Sequence, residues 1–78
     1  MVQQKEQYWV LKRKEDVNNF LFYLRQNFIE GETSIDFLLN RYALRTGFTP
    51  NKLRSYLDQL VKAEVIVLKD KESIEKVN

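Results

Sequence analysis

Histidine and cysteine are both absent from this chain of 78 residues, and it contains only two glycines and one proline. Without cysteine and histidine there is no disulfide, no thiol nucleophile and none of the usual nitrogen and sulfur ligands of zinc. The hydroxyl groups of Ser34, Ser55 and Ser73 have no histidine to activate them, and no glycine-rich phosphate loop is present. The sequence therefore predicts a protein that is not an enzyme and that binds no metal or cofactor.

Long hydrophobic runs are missing as well. The longest, FLFYL and VIVL, are far shorter than a membrane-spanning helix requires, and the polar start MVQQKEQ is unlike a secretory signal peptide. The hydrophobic share of 44% is ordinary for a folded domain. We therefore expect a cytoplasmic protein with an N-terminal extension over residues 1–14 and one folded domain over residues 15–78.

Apolar residues at helical spacing predict a first helix that starts after Asp16, a favourable N-cap residue. Its predicted buried stripe consists of Val17, Phe20, Leu21, Leu24 and Phe28. Phe22 and Tyr23 lie off this stripe, so another segment must cover them. The apolar segment YWVL (residues 8–11) is a candidate for that cover.

Two further helices follow. The second is expected to begin with Thr33 or Ser34 as N-cap and Asp36 in a capping box, with a stripe of Ile35, Leu38, Leu39, Tyr42, Ala43 and Thr46. The third is expected over residues 50–62, with Thr49 as N-cap and Pro50 in the first helical position. Its stripe is Leu53, Tyr56, Leu57, Leu60 and Val61.

The character of the sequence changes after Ala63. The β-branched run VIVL predicts a short buried strand, KDKE a polar turn, and SIEKVN a return strand. A third, very short strand is expected near Glu32 and Thr33. These elements predict a mainly α fold with a small β hairpin.

The residues between the second and third helices are typical of a helix-turn-helix. Ala43 is small enough for a close helix crossing, and Gly47 accepts a left-handed turn conformation without strain. Phe48 follows the turn as a hydrophobic plug, and Leu53 inserts between the two helices. The segment TGFTPNKLRSYLDQLVKAEVI (residues 46–66) resembles the second half of the winged helix-turn-helix domains of small bacterial and archaeal transcription regulators. The matching positions are Thr46, Gly47, Phe48, Thr49, Leu53, Leu57, Leu60, Ala63, Val65 and Ile66.

That resemblance implies a three-helix winged helix-turn-helix that binds double-stranded DNA through its third helix. Where the family usually has glycine, this chain has Glu64. The charge distribution agrees with DNA binding, because residues 41–62 hold five basic side chains and one acidic one, Asp58. The expected base contacts are Asn51, Lys52, Arg54 and Ser55, and the expected backbone contacts are Arg41, Arg45, Thr49 and Lys62.

Two further interpretations concern partners. The basic run at Lys12–Lys14 is interpreted as a solvated face, because Glu15 and Asp16 offset its charge. Apolar side chains on two faces of the first helix, together with Trp9, predict a homodimer through that helix and the N-terminal segment. The alternative to DNA binding is a winged-helix module that docks onto another protein within a larger complex.

Overall fold

Residues 2–78 form three helices followed by an antiparallel hairpin. The structure, a computed structural model, describes the backbone of residues 2–78 and the side chains of residues 12–78. The elements are α1 (Val2–Ile29), α2 (Ile35–Thr46), α3 (Pro50–Lys62), β1 (Ile66–Leu68) and β2 (Ile74–Val77). The predicted fold class is confirmed in its coarse form, a mainly helical chain with a small two-stranded sheet at its C-terminal end.

The predicted start of the first helix after Asp16 is wrong, because α1 begins at Val2 and passes through Asp16 without a break. Residues 2–15 contain no glycine or proline and are rich in Gln, Lys and Glu, which favour helices. The predicted boundary between residues 14 and 15 therefore falls inside a continuous helix. Two predictions concern side chains outside those that the structure describes. They are the packing of residues 8–11 as a cover and the part of Trp9 in a homodimer.

An aromatic cluster joins the three helices. The ring of Tyr42 in α2 lies with its centroid 5.2 Å from Phe20 and 4.6 Å from Tyr23, both in α1. Phe20 in turn lies 6.4 Å from Tyr56 of α3. Tilted aromatic pairs at these separations add to the stabilisation that burial alone provides. The buried hydrophobic core, which includes this cluster, draws residues from all five elements: Phe20, Tyr23, Leu24, Ile35, Leu38, Leu39, Tyr42, Leu53, Tyr56, Leu57, Leu60, Ile66 and Ile74.

Tyr23 belongs to this core, so its predicted place off the buried stripe is wrong. Its hydroxyl donates a hydrogen bond to the carbonyl oxygen of Leu38 at 3.3 Å, and α2 covers its ring. Phe22, one residue earlier, is 62% exposed, so the prediction that another segment covers it is wrong, whereas Tyr23 is covered by α2. The two residues differ because successive side chains on a helix are turned by about 100°.

The buried faces of α2 and α3 agree with the predicted stripes except at Thr46, which is exposed. The N-termini of both helices are capped by side chains. The hydroxyl of Ser34 accepts from the backbone N–H of Phe37 at 3.4 Å, and that of Thr49 accepts from Lys52 at 3.2 Å. The predicted capping box with Asp36 is wrong. With Ser34 as N-cap, the third position of the helix is Phe37, and the Asp36 carboxylate instead reaches Arg54 of α3.

Each of the three helices ends at a residue in the left-handed conformation. Gly31 has φ 102°, Gly47 has φ 82° and Glu64 has φ 62°. After α3, the N–H of Glu64 donates to Val61 and that of Val65 to Leu60, each at 3.0 Å, which is the Schellman arrangement. The chain therefore places both of its glycines at helix ends, and Glu64 makes the left-handed exit that the resemblance associates with glycine.

The hairpin is held against the helices at both ends. The two predicted strands are confirmed. Ile74 and Val77 are three residues apart, and both pack on the core because a register shift in the hairpin leaves Glu75 unpaired. An isolated antiparallel bridge joins Ser34 to Ser73, close to the very short strand expected near Glu32 and Thr33. At the other end, the guanidinium of Arg25 in α1 donates to the main-chain oxygen of Asn78 at 2.6 and 3.0 Å.

The left-handed residues after α2 and α3 predict changes of opposite sign in the free energy of unfolding for two substitutions. No neighbouring atom lies within 4 Å of a Cβ built at Gly47, so Gly47→Ala is opposed by backbone strain alone. We expect it to lower the free energy of unfolding by about 1–2 kcal/mol, and Gly47→Val by more. Glu64→Gly should raise that free energy by about 0.5–1 kcal/mol, since glycine is unstrained at positive φ. Thermal or urea unfolding measures both, and an unchanged or raised stability of Gly47→Ala would contradict the left-handed turn.

Candidate nucleic-acid interface

The turn between α2 and α3 is held by hydrogen bonds on both sides of Gly47. The N–H of Gly47 donates to Ala43 at 2.8 Å and closes α2. The hydroxyl of Thr46 donates to the carbonyl oxygen of Tyr42 at 2.8 Å and accepts from the N–H of Phe48 at 3.3 Å. Phe48 packs against the core, edge-on to Tyr56. The direction in which α3 leaves the turn is thus determined locally.

The exposed face of α3 carries a row of polar side chains. With about 100° between successive residues, Asn51, Ser55, Asp58 and Lys62 fall on the side opposite the buried Leu53. All four are exposed. Three of the residues predicted to contact DNA, Asn51, Ser55 and Lys62, therefore lie together, and the one acidic side chain of the region lies among them.

Arg54 lies on one flank of this row. Its guanidinium contacts the carboxylate of Asp36 in α2 at 3.3 Å, and the two side chains are 49% and 79% exposed. An ion pair of this kind contributes roughly 0–1 kcal/mol. The sequence alone did not reveal this pair, because the two residues are 18 positions apart and no local pattern links them.

Lys52 lies on the opposite flank, about 160° from Arg54 around the helix axis. Its ammonium nitrogen lies 5.0 Å from the centroid of the Phe48 ring, a cation–π arrangement. A shallow groove between α3 and α1 runs along this flank, and Lys52, Phe48 and Tyr56 line it from the α3 side. From α1 it is lined by Lys12, Arg13 and Asp16. The sequence contains a signal for this arrangement. Arg13 lies at helical spacing from Val17, Phe20 and Leu24, so the face of α1 that packs on the core extends to the N-terminal side of Asp16.

Arg41 and Arg45 lie on the flank of α2 that faces α1, away from the exposed row of α3. Burial raises the pKa of the Tyr23 hydroxyl, and the positive charges of Arg41 and Arg45 oppose that rise. Arg45 also lines a shallow groove with Phe22 and Thr46. The structure does not bring these two arginines together with Asn51 and Ser55, so that they reach DNA stays a prediction.

The hairpin turn is organised by one carboxylate. Asp70 Oδ1 accepts hydrogen bonds from the N–H groups of Glu72 and Ser73 at 2.8 and 2.9 Å, and from the Ser73 hydroxyl at 3.0 Å. The bond from the Glu72 N–H, followed by that from the Ser73 hydroxyl, lowers the pKa of Asp70 below its ordinary value of 3.8. A turn without glycine is therefore stabilised by an aspartate side chain.

No protein-family model, no curated protein and no solved structure matches this chain. Across the described residues, none of the helices combines the length and the apolar character that crossing a bilayer would require. The interpretation of the site therefore depends on its own geometry and charge.

The Asp70 turn predicts a local pH dependence. The pKa is lowered in the folded state, so the stabilisation is complete above the ordinary pKa and is lost as the pH falls through the folded value. The carboxyl carbon of Asp70, followed by NMR, should titrate below pH 3.8. The amide protons of Glu72 and Ser73 should shift with the same midpoint. Asp70→Asn is the control and should abolish that amide titration; a midpoint at or above the ordinary value would contradict the hydrogen-bonded turn.

Proposed function

We propose that this chain is a cytoplasmic winged helix-turn-helix protein that binds double-stranded DNA, with α3 in the major groove. A small transcription regulator, or an accessory of replication or segregation, fits that activity. One observation carries the proposal: α3 is buried along one face, and its opposite face presents a continuous exposed polar row. A major groove about 12 Å wide admits a helix presented in this way.

The residues of α3 have different expected roles. The amide of Asn51 can pair with the hydrogen-bond donor and acceptor of adenine in the major groove. The hydroxyl of Ser55 can bond to either a donor or an acceptor on a base edge. Lys62 at the end of the row suits a phosphate. Arg54 can contact guanine after leaving Asp36, because an exposed ion pair contributes roughly 0–1 kcal/mol and a bidentate base contact about 1–3 kcal/mol. Thr49 caps the helix N-terminus, where backbone N–H groups favour phosphate oxygens.

A second candidate function is docking onto another protein, and a specific observation favours it. Phe37 and Leu44 lie seven residues apart on the outer face of α2 and are 49% and 90% exposed. Residues at this spacing share one face of a helix. Apolar side chains seven residues apart on one helix face are spaced as the anchors of a helix that docks into a partner's groove, so binding assays must separate the two functions.

DNA binding by α3 is tested with two variants. Lys52→Ala/Arg54→Ala should lower the free energy of unfolding by no more than about 2 kcal/mol, because both side chains are exposed and only the Asp36 ion pair and the Phe48 cation–π contact are lost. Its affinity for duplex DNA should fall, and the slope of log K against log salt should flatten by up to about 0.9 for each phosphate that the variant no longer binds. Asn51→Ala should instead relax sequence preference by roughly 1–3 kcal/mol, because the bidentate pairing with a base is removed.

The matched control for Asn51→Ala is Asn40→Ala, at an exposed position of α2 outside the row. Fluorescence anisotropy at several salt concentrations measures all the variants. Wild-type protein that binds duplex DNA weakly or not at all, with no salt slope, supports protein docking instead. Binding that both α3 variants leave unchanged would show that α3 is not the reading element.

A homodimer through α1 is the expected assembly. Phe22 and Ile29 lie seven residues apart on α1 and are 62% and 83% exposed. A two-fold dimer would present its two copies of α3 to half-sites about 34 Å apart. Phe22→Gln/Ile29→Gln should convert the dimer to a monomer in light scattering. Phe37→Gln/Leu44→Gln, which also removes two exposed apolar side chains but from α2, should not. A monomeric mass for the wild type at micromolar concentration would contradict this assembly.

A further inference from the structure

We infer that the groove between α1 and α3, lined by Lys12, Arg13 and Lys52, binds the phosphate backbone of the duplex alongside α3. The inference rests on the proposed DNA binding and specifies which flank of α3 meets the backbone. It assigns a role to the basic segment of α1, which the sequence alone indicated to be a solvated face.

The groove brings together cations that are distant in sequence. Lys12 and Arg13 line it from α1, and Lys52 lines it from the first turn of α3. The walls between them include the rings of Phe48 and Tyr56. Lys52 lies with its ammonium 5.0 Å from the Phe48 centroid, an interaction that favours its position in the groove. Phosphate oxygens are the anions that lysine and arginine bind in protein–DNA complexes.

The acidic residues next to this basic segment offset only part of its charge in the folded chain. Asp16 lines the groove, but Glu15 lines neither this groove nor its neighbour among the described side chains. The neighbouring groove contains Arg13 and Lys14, with Gln59 of α3 on its other side. Among the described side chains, four cations and one carboxylate line the two grooves on this flank of α3. Asp16 lies four residues after Lys12 and three after Arg13, so it shares their helix face and offsets part of their charge.

The two flanks of α3 differ in charge. On the opposite flank, Arg54 is paired with Asp36 at 3.3 Å. A helix about 10–12 Å across nearly fills a major groove about 12 Å wide, so both sugar–phosphate strands run close to its flanks. The α1 flank is the more positive of the two. The phosphate strand next to that flank is therefore the one that the groove binds.

The experiment compares two variants of the full chain that remove the same charge. Lys12→Gln/Arg13→Gln removes two cations from the groove, and Lys71→Gln/Lys76→Gln removes two exposed cations from the hairpin. Binding to a random-sequence duplex is measured by fluorescence anisotropy over a range of salt concentrations, and circular dichroism melts verify that each variant folds. We expect the groove variant to bind on the order of tenfold more weakly at low salt for each cation–phosphate pair that it cannot form. Its salt slope should flatten by about 0.9 for each such pair, beyond any change in the hairpin variant.

A third variant, Asp16→Asn, changes the groove in the opposite direction. Removal of its carboxylate should raise the affinity for duplex DNA above that of the wild type and above that of Glu75→Gln, which removes an exposed carboxylate from the hairpin. The inference therefore stays testable if the groove variant unfolds. If the wild type binds duplex DNA but the groove and hairpin variants change equally, net charge explains the effect and the inference is wrong. The inference is also wrong if Asp16→Asn binds no more tightly than the wild type. A wild type that does not bind duplex DNA overturns the proposed function, and this inference with it.

Discussion

Gly47 ends α2 in the left-handed conformation, and the position of α3 depends on that single backbone geometry. From this turn the chain enters α3 directly, with Thr49 as its cap and Leu53 fully buried behind it. Burial of Leu53 and Tyr56 then sets the rotation of α3 about its axis, and so decides which side chains face outward. The polar row of Asn51, Ser55, Asp58 and Lys62 follows from the turn and the core together.

Electrostatics then distinguish the two flanks of α3 in a way that net charge does not. The chain carries a formal charge of only +2, too little to predict a partner. The fold pairs Arg54 with Asp36 on one flank and gathers Lys12, Arg13 and Lys52 on the other. Interactions with closely spaced phosphates depend on this local density of cations, because salt screens charges more than about 10 Å away. The same composition arranged otherwise would present no such surface.

Local chemistry made much of the fold predictable. Thr49 with Pro50, Gly47, and the stripes of α2 and α3 each follow from short-range rules. Each is confirmed, apart from Thr46 at the end of the α2 stripe, which is exposed. The start of α1 was not predictable from Asp16, since a good cap residue also tolerates a place within a long helix when the residues on both sides favour helix. The Arg54–Asp36 pair and the groove at Lys12 depend on how separate helices pack. The periodicity of residues within one helix carries no information about that packing.

The most direct test of α3 as the DNA-reading element is an NMR titration of isotope-labelled protein with a random-sequence duplex. The backbone amides of Asn51, Ser55 and Lys62 are expected to shift most. Smaller changes are expected at Lys12 and Arg13, and little change at Phe37 and Leu44 on the outer face of α2. Shifts confined to Phe37 and Leu44, or the absence of shifts along α3 at low salt, would contradict DNA binding through this helix.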